Sequence, residues 1–186
     1  MRRFFLAAVA VLLAVPAHAQ LGIEVLIRRP LAEAAREGNV DVVRQQLLAG
    51  APANQLDLDN RPALSLAAQN GNAEIAKMLL DARATPDLRD REGRTALMWA
   101  SERGHVGVVQ TLIAGRANLN LIERSTSSTA LMLAAREGHL RVVEALVQAK
   151  ADLTPTDATG RTALAIAEAS NRRNVADFLR RNGAPR

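Results

Sequence analysis

The chain has 186 residues, with 24 basic and 19 acidic side chains and a formal net charge of +5 at pH 7. This length corresponds to one domain, and so mild a positive charge argues against a dedicated nucleic-acid-binding protein. The sequence contains no cysteine and 2% aromatic residues, so packed aliphatic side chains, and not disulfides, must stabilise the fold.

The first residues are predicted to form a secretory signal peptide. A basic start precedes an unbroken apolar run at 4–15, and Ala17 and Ala19 place small residues at the two positions that a signal peptidase reads. The apolar run is too short to cross the hydrocarbon core of a bilayer, about 30 Å thick, as a helix. We therefore expect cleavage after Ala19 and no membrane anchor on the mature chain.

The predicted cleavage divides the sequence into a signal peptide, 1–19, and one mature domain, 20–186. We expect the mature domain to be periplasmic or secreted. The stretch RRFFL at 2–6 leaves the twin-arginine route open beside the general secretory route, and an uncleaved anchor is a further alternative. The cleavage site has no cysteine, which excludes a lipoprotein anchor. Residues 23–27 are expected to pack on the domain as an extra cap.

The mature chain then repeats one unit five times. The unit is marked by a leucine, and successive leucines are 33, 33, 34 and 33 residues apart: Leu31, Leu64, Leu97, Leu131 and Leu164. Seven residues after each leucine stands Gly38, Gly71, Gly104, Gly138 or Asn171. Self-similarity at a fixed period of this size predicts a solenoid of stacked repeats.

Each unit is predicted to form a helix, a turn, a second helix and a loop. Thr95, Thr129 and Thr162 are suited to cap the first helix, and Gly104 and Gly138 to end it in a left-handed conformation. The second helix carries an apolar stripe, for example Val108, Val109, Leu112 and Ile113. Neither helix is long enough to be stable alone, so each repeat must pack on its neighbours.

The unit resembles the ankyrin repeat. The resemblance is carried by DREGRTALMWA at 90–100 and GHVGVVQTLIAGRANLN at 104–120, and it covers about residue 30 to the C terminus. One departure is consistent, because the T-P-L-H of the family reads TALM twice and TALA once. The resemblance implies an all-α solenoid of five helix-turn-helix repeats with finger-like β-turn loops.

The resemblance also implies a function, which is the recognition of another protein without a cofactor. The chain is similar to small exported ankyrin proteins of bacteria, which suggests a monomeric scaffold that supports or protects a partner enzyme. The alternative is an enzyme or a small-ligand carrier with a site in the concave groove. The sequence contains no nucleophile constellation and no glycine-rich phosphate loop, so we expect no catalytic, cofactor or metal site.

Two kinds of residue invite a functional interpretation and are predicted to be structural. Trp99 stands where other repeats have Leu66, Leu133 or Ile166, which predicts a core residue; a ligand-facing aromatic is the alternative. His105 and His139 occupy equivalent positions at the start of second helices, and no third ligand accompanies them. The terminal repeats carry polar residues on their outer faces, as Arg180 illustrates.

Partner contacts are predicted in the fingers. Arg28, Arg61, Arg94 and Arg161 each precede a marker leucine by three residues, and we expect them to form a row of exposed cations along one edge. Ser128 takes this position in the finger that carries one extra residue. The alternative is that arginine is common here in such repeats. The candidate partner-binding residues are Arg61, Arg91, Arg94, Ser125, Thr126, Ser128 and Arg161.

Overall fold

The computed structural model describes residues 31–185, so the signal peptide, the cap at 23–27 and Arg28 lie outside the described residues. Within 31–185 the chain forms ten α-helices in five helix-turn-helix pairs and no extended strand. The first helices are α1 (Leu31–Glu37), α3 (Ala63–Gln69), α5 (Ala96–Arg103), α7 (Ala130–Glu137) and α9 (Ala163–Ala169). The second helices are α2 (Val40–Leu48), α4 (Ala73–Asp81), α6 (Val106–Ala114), α8 (Leu140–Gln148) and α10 (Arg173–Arg181). The expected all-α repeat solenoid is confirmed.

The first helices begin and end where the sequence predicts. The side-chain oxygens of Thr95, Thr129 and Thr162 each accept a hydrogen bond from a free amide in the first helical turn. Gly104 and Gly138 end α5 and α7 in the left-handed region, with φ of 76° and 86°. The threonine caps satisfy amides that have no partner within the helix, and the glycines turn the chain into the second helix.

One continuous core runs through the stack. All five marker leucines are at most 2% exposed, and most alanines of the first helices are buried with them. In α6, Val108, Val109 and Leu112 are fully buried, while Ile113 is only partly buried at the edge of the core. First helices of successive repeats contact one another more extensively than second helices do, which places them on the inner, concave side. No helix in the described part of the chain is long and apolar enough to cross a membrane.

The loops are joined from one repeat to the next by hydrogen bonds at equivalent positions. The Oδ1 atom of Asn54 accepts from the amide of Thr85 at 2.8 Å, and that of Asp87 accepts from the amide of Asn118 at 2.9 Å. The third bond runs from the amide of Asp152 to Asn120, also at 2.9 Å. These bonds hold the loops that precede consecutive fingers in register, because each joins loops that are one repeat apart.

His105 and His139 also join neighbouring repeats. Nε2 of His105 donates to the carbonyl oxygen of Gln69 at 3.2 Å, and Nε2 of His139 to that of Glu102 at 2.9 Å. Both rings lie against a glycine of the preceding repeat, since a Cβ on Gly104 would approach Nδ1 of His139 to 2.7 Å. Each histidine therefore satisfies a carbonyl at the end of a first helix, as its predicted structural role requires. Residues 31–185 contain no group of three or more histidines and carboxylates arranged to hold a metal.

Candidate protein-interaction surface

Four finger loops project between the repeats, and we number them one to four: 56–61, 89–94, 122–128 and 156–161. Fingers one, two and four are built around Asp57, Asp90 and Asp157, whose Oδ1 atoms accept from the amide four residues later at 2.8, 2.8 and 3.0 Å. Burial raises the pKa of Asp157, but hydrogen bonds from Thr159 and Arg161 outweigh this and lower it to about 2. The buried carboxylate is thus the structural centre of each regular finger.

The row of exposed cations expected from the sequence is wrong at Arg94, whereas the side chains of Arg61 and Arg161 are 28% and 50% exposed. Nη2 of Arg61 pairs with Asp57 at 2.8 Å and with Asp59 at 3.0 Å, and Nη2 of Arg161 pairs with Asp157 at 3.0 Å. Arg94 is only 7% exposed. Arg61 and Arg161 pair with the carboxylate that their own finger supplies four residues earlier, whereas Arg94 is drawn inward by Glu102 and Glu123. Whether these arginines contact a partner stays a prediction.

Arg94 is the centre of a buried ionic cluster. Its Nη2 atom lies 2.6 Å from Oε2 of Glu102, and its Nε atom lies 3.4 Å from Oε2 of Glu123. Its guanidinium carbon lies 3.8 Å from the ring centroid of Trp99, which is a cation–π contact. The carboxylates come from two different repeats, so Arg94 links finger two and α5 to finger three.

Trp99 is half-buried and packs against the core, so the prediction of a core residue is confirmed in part. The ring packs against the core, and its Nε1 atom donates to Oδ2 of Asp90 at 2.7 Å. The equivalent residues Leu66 and Leu133 are each 1% exposed. An indole is longer than an isobutyl group, so at the same position it extends beyond the core and reaches the finger. Asp90 and Arg94 fix its orientation.

The cluster extends along the first helices to the fourth repeat. Oε1 of Glu102 lies 2.8 Å from Nη2 of Arg136, so Glu102 bridges the arginines of two repeats. We refer to Asp90, Arg94, Trp99, Glu102, Glu123 and Arg136 as the Arg94 cluster. It lies between fingers two and three and the first helices α5 and α7. Sequence analysis missed these ion pairs because they join residues 8 to 34 positions apart, which no local sequence pattern brings together.

Finger three differs from the others, as its extra residue predicts. Glu123 replaces the aspartate and is 6% exposed. Thr126 donates its hydroxyl to Glu123, and Oγ1 of Thr126 lies 2.6 Å from Oγ of Ser128. The carbonyl of Thr126 also accepts from the amide of Ala158 in finger four at 2.8 Å. Of the three polar residues predicted to bind a partner here, Thr126 and Ser128 thus brace the loop, whereas Ser125 is exposed.

Comparison with known families gives one result that covers most of the chain. The family model described as ankyrin repeats, in three copies, matches residues 31–123 and, in an overlapping second match, residues 108–185. The two matches together span all the helices described above. The comparison with curated proteins gives no match.

Proposed function

The chain belongs to the ankyrin-repeat family, and from this premise we propose that it is an exported scaffold that binds a partner protein through its concave face and fingers. Members of the family generally mediate protein–protein interaction and are typically not catalytic. The proposal of export rests on the signal peptide predicted at 1–19, and the proposed location is the periplasm or the exterior. Support or protection of a partner enzyme is part of the same proposal. The scaffold acts as a monomer and needs no cofactor.

The observation that carries the proposal is the half-buried indole of Trp99 within the Arg94 cluster. Tryptophan and arginine are over-represented among the residues that contribute most to binding energy at protein interfaces. The ring is held by Asp90 at 2.7 Å and by the guanidinium of Arg94 at 3.8 Å. A partner would therefore meet a rigid aromatic surface and would lose little side-chain entropy on binding.

The polar groups of the cluster favour a binding role over a catalytic one. Arg94 is paired with Glu102 and Glu123, and Glu102 is also paired with Arg136. Groups that act as general acids or bases must reach the substrate, whereas these groups are bonded to one another. The cluster therefore holds the concave surface in one shape for a partner.

The predicted finger residues divide into two roles within this proposal. Arg91 and Ser125 are exposed, and the side chains of Arg61 and Arg161 are 28% and 50% exposed, so all four are available for direct contact. The other three, which shape the surface from beneath, are Arg94, Thr126 and Ser128.

Capture of the partner by the mature chain, 20–186, tests the proposal. The immobilised protein is exposed to an extract of the exported proteins, and bound chains are identified by mass spectrometry. Trp99→Leu is the informative variant, because Leu66 and Leu133 show that leucine fits the same position in neighbouring repeats. Arg141→Ala is the matched control, since Arg141 lies on α8 with its side chain 84% exposed.

We expect the wild type and Arg141→Ala to retain the same protein, and Trp99→Leu to lose it while keeping its helical circular dichroism. Equal retention by Trp99→Leu would show that the concave centre is not the binding surface. Retention of no protein by the wild type would contradict the scaffold function itself.

A further inference from the structure

Three exposed side chains stand at equivalent positions on the tips of successive fingers. Leu58, Arg91 and Arg124 each follow the buried acidic residue of their finger. Leu58 is 103% exposed, so its side chain takes no part in the core and is accessible to a partner. We call these three residues the tip row.

The charges of the tip row are available, unlike those of the arginines deeper in the fingers. Arg61 and Arg161 are neutralised by Asp57 and Asp157. Among the described residues, neither Arg91 nor Arg124 has an ion pair with a carboxylate of the chain. A cation that pairs with no carboxylate of residues 31–185 can attract an acidic group from another protein.

Direct contacts hold together fingers two and three, which carry the two tip arginines. Nη1 of Arg89 donates to the carbonyl of Ile122 at 2.8 Å and to that of Gly93 at 2.6 Å, which ties the two loops together. The stem of Arg124 lies across Gly93, where an added Cβ would approach Cγ of Arg124 to 2.6 Å. Arg124 is thus directed along finger two by the absence of a side chain at Gly93.

We propose that the tip row binds a polyproline II segment of the partner with the pattern apolar-x-x-acidic-x-x-acidic, in either chain direction. Stacked helices lie about 8–10 Å apart, so equivalent residues in successive repeats are separated by a similar distance. A polyproline II helix has three residues per turn and rises about 3.1 Å per residue, which places every third side chain on one face about 9 Å apart. A β-strand alternates its side chains between two faces, so it cannot present three successive third residues to the same edge.

The pattern follows from the order of the row. The apolar residue of the segment contacts Leu58, and the two carboxylates contact Arg91 and Arg124. Glu92 is exposed beside Arg91 and opposes the binding of an acidic segment. This inference rests on the proposed function, because it specifies the chemistry of the partner.

Titration of the mature chain with short peptides, followed by amide NMR shifts at low ionic strength, tests the proposal. LPPEPPE and its reverse EPPEPPL carry the pattern in the two directions. LPEPEPP has the same composition with the wrong spacing, and LPPKPPK has the wrong charge. We expect one of the first two peptides to shift resonances of fingers one to three and to bind about fivefold or more tightly than both controls.

Three variants locate the binding. Arg91→Glu combined with Arg124→Glu should abolish the shifts, and Glu92→Gln should strengthen binding by removing a like charge. Arg173→Glu combined with Arg181→Glu, an equal change of charge on exposed residues of α10, should bind like the wild type. If the double tip variant loses its fold, the neutral pair Arg91→Gln and Arg124→Gln is used in its place.

Equal binding of LPPEPPE, EPPEPPL and LPEPEPP, or binding unchanged in the tip variants, would overturn the proposed pattern, as would the absence of any binding. These outcomes are distinct from failure of the scaffold function. If the chain captures a partner through Trp99 while the peptides do not bind, the scaffold function stands and the tip-row inference fails.

Discussion

Replacing Arg94 with glutamine removes the only guanidinium that faces both Glu102 and Glu123 within the described residues. The side chains of Arg94 and Glu123 are 9% and 7% exposed, so the variant leaves a buried carboxylate without its cation. Loss of one partner from a buried ion pair costs about 3–5 kcal/mol, because the remaining charge stays desolvated. The cation–π contact with Trp99 is lost as well.

Arg161→Gln is the matched control, because it makes the same change at the equivalent position of finger four. The side chain of Arg161 is 50% exposed, and the amide of Arg161 and Thr159 would still donate to Asp157. Because water reaches the guanidinium of Arg161 and the other donors to Asp157 remain, the loss should be nearer to that of a surface pair, about 0–1 kcal/mol. Both variants remove one positive charge, so the difference between their losses of stability measures the effect of burying the ion pair.

The assay is urea unfolding followed by circular dichroism and by the fluorescence of Trp99, the one tryptophan of the chain. A thermal melt is the second measurement. In a domain of this size each kcal/mol of lost stability lowers Tm by about 2–4 °C, so Arg94→Gln should melt roughly 6–20 °C below the wild type. If Arg94→Gln and Arg161→Gln lose equal stability, the cluster does not bind the repeats together and its burial has no energetic consequence.

The remaining predictions concern the core, the fingers, a turn and export. Leu131→Ala should lower the free energy of unfolding by about 2–5 kcal/mol in urea melts, because Leu131 is 1% exposed in a central repeat; a loss under about 1 kcal/mol would contradict its burial. The folded pKa of Asp157 is depressed to about 2, so its contribution of about 2 kcal/mol is present above pH 4 and is lost as the pH falls towards 2. Asp157→Asn should remove this part of the acid dependence, and an unchanged acid profile would refute the assignment. Gly104→Ala should cost about 1–3 kcal/mol, because φ is 76° and the new Cβ would meet His139, whereas a neutral result would show that the ring moves freely. The intact mass of the exported protein should correspond to cleavage after Ala19, and a mass that includes the first 19 residues would exclude it.

The fold could be predicted because the repeat period is a property of the sequence itself. Five marker leucines, with the glycine or asparagine seven residues after each, define the helices. Stacking follows because no single repeat can bury its own apolar stripe. The capping threonines and the left-handed Gly104 were predicted for the same reason, since local backbone chemistry requires those residue types.

The candidate site could be predicted only in part, because exposure and pairing depend on contacts between repeats. Arg94 and Arg161 share a position in the repeat, yet Glu102 and Glu123 bury the former while the latter is half-exposed. The equivalent position in other repeats was also a poor guide to the burial of Trp99. Leu66 and Leu133 are buried there, whereas the larger indole extends to Asp90. A repeat alignment compares positions and does not report the volume that each side chain needs.

The central claim is that the chain binds a protein through its concave face, and hydrogen exchange of the free and the partner-bound chain tests it most directly. Binding at the Arg94 cluster should slow exchange in fingers two and three and in α5 and α7, the elements that carry Trp99 and Arg136. Exchange in the second helices α4, α6 and α8 should stay unchanged. Slowed exchange confined to those second helices would place the partner on the opposite face and would contradict the account.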